Sequence, residues 1–253
     1  MTVPNPSPSG PWPMIQRLGV SGLLVRFGDQ FCEAANRAAL AFRAAVEAAP
    51  QPGIIETAPS LVSVFLRLDP LTADLEVLEA ELCDLLARAD WYAAPLPPGR
   101  RLIRIPTAYG ADMAPDLVET AEAAGLSEAE AVAQLSATRL RVLSLGFGPG
   151  QPYLGELPEH WNLPRRTELT PHVPAGALVL AIRQCVLFSR PSPTGWRHVG
   201  QTAFLNFRPE SAEPFALKPG DELQFPTADP DHVAHMIADP DCVDGGAEIE
   251  ALP

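Results

Sequence analysis

The most chemically suggestive stretch is Gly146-Phe147-Gly148-Pro149-Gly150-Gln151-Pro152-Tyr153-Leu154-Gly155. Glycines set this close let a backbone approach a ligand or adopt positive φ. They suit equally well a tight loop between two strands. A phosphate loop is excluded, because the GxxxxGK[ST] spacing is missing and no Lys or Arg lies within the segment. Glycines at 146, 148 and 150 do not give the GxGxxG spacing of a dinucleotide site either. A second group follows at Pro164-Arg165-Arg166. Such an arginine fork suits a carboxylate or a phosphate, or is simply solvated surface. In Ser192-Pro193-Thr194-Gly195-Trp196 the glycine would let the large ring fold over a pocket mouth or into a core. His232 and His235 are spaced i, i+3 amid Asp229, Asp231, Asp239 and Asp241. They could reach a metal from one helix face, but the composition reads as a solvated acidic tail with nothing to fix a second shell. No GxSxG elbow and no Ser/His/Asp arrangement can be picked out. Cys32, Cys83, Cys185 and Cys242 form no CxxC pair, which leaves buried free thiols as their reading.

Composition narrows the partners. The formal net charge of −13 argues against a nucleic-acid backbone, whose binders concentrate Lys and Arg on one face. No apolar run approaches the roughly 18 residues of a membrane helix. The opening segment to Pro13 has neither the basic nor the apolar region of a secretory signal, so a cytoplasmic location is expected.

The elements that must position these residues divide at Pro95-Leu96-Pro97-Pro98-Gly99. Residues 1–14 read as a flexible Pro-rich arm. Residues 15–98 read as a small α+β domain. It has a strand at Leu23–Phe27, a helix at 33–48, strands from Ile54 and over Leu61–Leu68, and a helix opening at Asp69-Pro70. Val62, Val64, Leu66 and Leu68 share one face of their strand. Beyond the linker, residues 99–228 start with a strand at Arg101–Ile105. A helix over Ala114–Ala124 ends at Gly125, and another is introduced by the capping box Ser127-Glu128-Ala129-Glu130. Short apolar runs follow at Leu140–Leu145, Val173–Ile182, Cys185–Ser189, Ala203–Phe207 and Glu222–Phe225, predicting a compact β-barrel or sandwich. Residues 229–253 read as an acidic tail with one short helix near His232–Ile237.

An ordered set of fragments resembles one family. The fragments are Phe27-Gly28-Asp29, Gly53-Ile54-Ile55-Glu56, Asp69-Pro70, Tyr109-Gly110 and Pro115-Asp116-Leu117. The strongest are Gly146-Phe147-x-Pro149-Gly150-x-Pro152-Tyr153-Leu154, Pro164-Arg165, Val173-Pro174-Ala175-Gly176, Gln184, and Ser192-Pro193-x-Gly195-Trp196 with Gly200 and Thr202. They resemble the B-type subunit of the bacterial ATP-dependent 5-oxoprolinases, also known as the Kip-type kinase inhibitor, together with allophanate hydrolase subunit 1 and the matching segment of urea carboxylase. The resemblance implies an α+β N-terminal domain followed by a cyclophilin-like β-barrel. It implies a larger homologous subunit as partner, possibly with a lactam-utilisation subunit, and ATP with Mg at the level of the complex. No biotin would be attached to this chain. The implied function is ATP-dependent opening of 5-oxoproline to glutamate. Carboxyl transfer to urea or a related amide, and a non-catalytic kinase-inhibitor or metabolite-binding module, are the alternatives.

The cleft residues so implied are Phe147, Tyr153, Arg165, Gln184, Trp196 and Gln201. Arg165 would hold a carboxylate, Gln184 would bond an amide edge, and Tyr153 and Trp196 would wall the pocket. The chain also departs from the family pattern. It has Leu135 near a usual His, Leu61 and Leu140 near tyrosines, and Gln151 in place of a Phe. Thr170, His172 and Gln201 stand near usual arginines, and Ile182 near a Gly. Several groups that a catalytic cleft could use are thus replaced.

Overall fold

The computed structural model describes residues 10–252. Most of the arm expected at 1–14 therefore lies outside the described residues. The chain divides into two compact units, Met1–Pro98 and Gly99–Pro253.

The first unit runs β1 (Met14–Arg17), β2 (Gly22–Arg26), α1 (Glu33–Ala48), β3 (Ile54–Ser60), β4 (Ser63–Leu68) and α2 (Leu75–Ala87). Its strands form an antiparallel sheet in the order β1-β2-β4-β3. Val62, Val64, Leu66 and Leu68 are buried as their alternation requires, while Arg67 is exposed. They pack on the alanine-rich face of α1, where Ala35, Ala38, Ala39 and Phe42 are buried. The helix expected from Asp69-Pro70 starts only at Leu75. The Asp69 carboxylate accepts from Leu71 N at 3.0 Å and holds a turn. Asp74 then caps the helix by accepting from Glu76 N and Val77 N.

The second unit opens with β5 (Arg101–Arg104), β6 (Thr107–Ala108), α3 (Leu117–Ala123), α4 (Glu128–Ala137), β7 (Leu140–Leu145) and β8 (Pro152–Gly155). It continues with β9 (Thr170–Val173), β10 (Ala177–Ala181), β11 (Gln184–Leu187), β12 (Ser192–Thr194) and β13 (Arg197–Thr202). It ends with β14 (Glu222–Gln224), α5 (Pro230–Ala238) and β15 (Glu248–Ala251). The main path, β7-β8-β11-β10-β13-β6, is antiparallel throughout. β14 joins it by pairing antiparallel with β7 and parallel with β5. β9 and β12 form a separate two-stranded sheet.

The architecture is thus mixed α+β around a large, mostly antiparallel sheet. The expected barrel is not closed by continuous ladders. β6 and the segment after β14 meet through one isolated parallel bridge, Thr107–Thr227. Pro106 and Pro226 interrupt pairing there, because proline has no N–H to donate.

Local chemistry explains the other departures. Both halves of the capping box form, with Glu130 N donating to Ser127 Oγ and Ser127 N donating to the Glu130 carboxylate. α3 begins three residues later than expected, since Pro115 disfavours helical backbone at Ala114. The run Val173–Ile182 is cut at Pro174-Ala175-Gly176, where Gly176 at φ +74° turns the chain from β9 into β10. Ala203–Phe207 forms no strand beyond the isolated bridge Phe207–Phe215. The stretch read as an acidic tail carries α5 and β15, and β15 pairs with β5 over its whole length. Backbone hydrogen bonding to a sheet edge orders this segment, and composition does not reveal it. No described helix is long and apolar enough to cross a membrane.

Candidate functional site: a cleft on the reverse face of the sheet

Strand register decides which side chains meet, because directly opposite residues share a face. Leu154 lies opposite Cys185, Cys185 opposite Leu180, and Leu178 opposite Leu187. All five belong to the main core of the unit. The residues between them point the other way. There Tyr153 and Val179 flank Val186, Ala181 meets Gln184, Ala177 meets Gln201, and Val179 also meets His198. This reverse face packs with Val173 of β9 and with Trp196. A cleft of about 260 Å³ opens on it, bounded by the 146–151 loop and by residues 165–169.

Four of the six expected residues line this cleft: Phe147, Tyr153, Arg165 and Trp196. Gln184 and Gln201 lie on the same sheet face but do not line it. Gln201 is engaged elsewhere, donating through Nε2 to Ala175 O at 2.8 Å and Thr202 O at 2.9 Å. It braces the turn between β9 and β10.

The backbone arranges the lining. Arg166 N donates to Gly195 O at 2.7 Å, joining the arginine segment to the strand that delivers Trp196. Gly195 is required for this approach, since a Cβ there would stand 2.8 Å from Arg166 O. The Arg165 guanidinium consequently sits 5.1 Å from the Trp196 ring centre, a cation–π placement. Tyr153 meets Trp196 edge to face at 6.1 Å. On the opposite wall Gly150, at φ +64°, lies so close to Asn206 O that a Cβ would stand 2.7 Å from it. Asn206 Nδ2 in turn donates to Gly150 O at 3.2 Å and Leu187 O at 2.9 Å. Phe147 takes φ +66°, a conformation costly for a bulky residue, and is 75% exposed.

The two arginines differ in charge balance. Arg166 pairs with Asp116 at 2.9 Å and with Glu119 at 2.6 Å. Among the described residues Arg165 has no carboxylate partner. Nor does any Asp, Glu, His, Cys or Lys line the cleft. The site is therefore locally positive in a chain of net charge −13. Behind it, His198 is buried with Nε2 unpartnered, and burial holds its pKa below the ordinary value despite opposing effects from the Gly200 backbone, Asp116 and Gln201.

Sequence reasoning missed Gln151 and Phe188 as lining residues. Gln151 was findable, because two residues before Tyr153 strand alternation puts it on the same side. Phe188 hid inside an apolar run that reads as core. The four cysteines are free, Cys32 and Cys185 buried as expected but Cys83 exposed. Burial pushes the Cys185 thiol up to about 12.

Aromatic walls and an unpaired guanidinium can hold a small, flat anion. The lining supplies no carboxylate, imidazole, thiol or amine to move a proton. Magnesium-bound ATP does not fit these residues either. Among the described residues no group of three His, Cys, Asp or Glu side chains comes together, and His235 Nδ1 is engaged with Asp231 O at 2.6 Å.

Comparison with known proteins places this geometry. Residues 13–217 match the family described as the carboxyltransferase domain, subdomain C and D. The B-type subunit of the Bacillus subtilis (strain 168) 5-oxoprolinase is 31% identical over 222 residues, covering 83% of this chain and 91% of that protein. The crystal structure of TTHA0988 is similar with a TM-score of 0.68 and 34% identity over 85% of this chain. The match spans only 40% of the TTHA0988 chain. The urea amidolyase of K. lactis gives a TM-score of 0.72 over 94% of this chain and 16% of that one, and at 17% identity the likeness is one of fold.

Proposed function

The chain belongs to the carboxyltransferase-domain family, subdomains C and D, and from that premise we propose that it is the B-type subunit of a heteromeric, ATP-dependent 5-oxoprolinase. In this reading its cleft binds 5-oxoproline, which the assembled enzyme opens to glutamate. The carrying observation is the unpaired Arg165 guanidinium over Trp196, in a cleft whose lining has no acid. 5-Oxoproline is a nearly flat five-membered lactam bearing a carboxylate. Arg165 takes the carboxylate, and Tyr153 and Trp196 flank the ring.

Proton transfer and the handling of Mg-ATP fall to a larger homologous subunit, with a lactam-utilisation subunit as a further component. The absence of an acid–base group from the cleft supports this division. So does TTHA0988, whose matching segment is 40% of a longer chain, so that a domain of this type shares one polypeptide with further protein. The second unit is read as a cyclophilin-like barrel. The Thr107–Thr227 bridge favours this, since it joins the two ends of the strand path.

Carboxyl transfer to urea or a related amide is the second reading, favoured by the family and by the fold likeness to urea amidolyase. It ranks lower because neutral urea makes no use of an unpaired guanidinium. The test is glutamate release from 5-oxoproline and Mg-ATP by this chain co-purified with the partner proteins encoded beside it. Turnover that disappears when this chain is omitted is expected. Undiminished turnover without it, or none from a correctly assembled complex, overturns the reading.

A further inference from the structure

Gln151 is a polar side chain buried without a full set of partners. It is 2% exposed, it lines the cleft, and its Oε1 accepts no hydrogen bond. A second orphan lies beside it. Ser189 Oγ is buried and unpartnered, and a Cβ on Gly148 would stand 3.0 Å from Ser189 Oγ and 3.2 Å from Gln151 Oε1. The backbone of Gln151 is occupied, its N–H donating to Gly148 O at 3.2 Å and its carbonyl accepting from Gly146 N at 3.0 Å. Only the carboxamide is spare. A buried polar group of this kind loses its hydration without compensation, which folded proteins avoid unless a ligand or ordered water completes the bond.

We infer that Gln151 is the residue that recognises the amide of the cleft's ligand. The inference rests on the reading of the cleft as a site for a small carboxylate-bearing amide. Arg165 recognises a negative charge, which any small acid carries. Tyr153 and Trp196 recognise a flat ring. None of the three tells a lactam from a plain ring acid. Gln151 does, because a carboxamide offers a donor and an acceptor to match the N–H and C=O of a lactam. Its last torsion is broad and two-fold, so either end can be turned to the ligand. A ligand that lacks the amide leaves the buried group unpaired, and such sites reject the lacking analogue strongly.

Calorimetric titration of the full chain with two probes tests this. One is 5-oxoproline; the other is cyclopentanecarboxylate, of the same ring size and charge but with neither ring N–H nor ring C=O. The wild type is expected to prefer 5-oxoproline by roughly 10- to 100-fold. Gln151→Met keeps the side-chain length, should bind cyclopentanecarboxylate as the wild type does, and should lose the preference. Gln151→Asn, with the carboxamide withdrawn by one methylene, supplies a second variant expected to lose it, and circular dichroism checks the fold of each. Equal binding of both probes by the wild type, or a preference that survives in folded variants, overturns the role of Gln151 while the cleft reading stands. Binding of neither probe, or binding that Arg165→Ala leaves unchanged, overturns the cleft reading and this inference with it.

Discussion

Two faces of one sheet carry different side chains in this molecule. Toward the core, β8, β10 and β11 present Leu154, Leu178, Leu180, Cys185 and Leu187, all buried and apolar. On the reverse, the same strands and β13 present Tyr153, Gln184, His198 and Gln201 among alanines and valines. Unmet hydrogen-bonding capacity collects on the reverse side, at His198 Nε2, Gln201 Oε1 and Gln151 Oε1. A period of two residues thus separates the groups that hold the unit together from the groups that hold a ligand. Stability resides on one side, and recognition is free to vary on the other.

Substitutions can break this division or sharpen it. Leu180→Ala, on the core face, should have the largest effect, about 2–5 kcal/mol of unfolding free energy by urea denaturation. A cost below that of cleft-face substitutions would erase the distinction. Arg165→Ala should leave stability unchanged and weaken 5-oxoproline binding by about 10- to 100-fold, on the order of 1.5–3 kcal/mol for a charged hydrogen-bonded pair. Arg166→Ala sharpens the contrast. Its guanidinium is spent on Asp116 and Glu119, so calorimetry should show a smaller loss of affinity, with a stability change of about 1 kcal/mol or less.

The next effect depends on pH. Burial holds the His198 pKa in the folded chain below its ordinary value of 6.5. The unfolded chain therefore takes up a proton as pH falls through 6.5, while the folded chain does not. This contribution to stability is full above pH 6.5 and is lost below it, by at most about 1.4 kcal/mol per pH unit. Urea midpoints measured between neutral and mildly acidic pH should slope less in His198→Asn than in the wild type; equal slopes would refute the assignment. Gln184→Ala should do least, changing 5-oxoproline affinity by less than about two-fold, as for substitutions away from a site. A larger loss would mean that the cleft extends to β11's first residue.

The contrast between the faces also shows what the sequence made legible. α1, β7 and the capping box at Ser127 follow directly from composition and local spacing. Burial of Val64, Leu66 and Leu68 follows from alternation. β13 was not legible, because Arg197-His198-Val199-Gly200-Gln201-Thr202 looks polar yet is wholly buried. Its environment comes from β10 and β6, which lie far away in sequence. β15 was hidden for the same reason, its order depending on the edge of β5. Within the site, Arg165 and Trp196 stood out by type. The pairing that distinguishes Arg165 from Arg166 depends on Asp116 and Glu119, nearly 50 residues earlier, and no local reading supplies it.

The most direct test of the central claim is a titration of 5-oxoproline into the ¹⁵N-labelled chain, following the tryptophan indole N–H resonances, with that of Trp196 assigned through Trp196→Phe. If the reverse-face cleft is the binding site, the Trp196 resonance shifts saturably in the wild type and shifts far less in Arg165→Ala. Saturable binding that leaves Trp196 unmoved, or a shift indifferent to Arg165, would contradict the account.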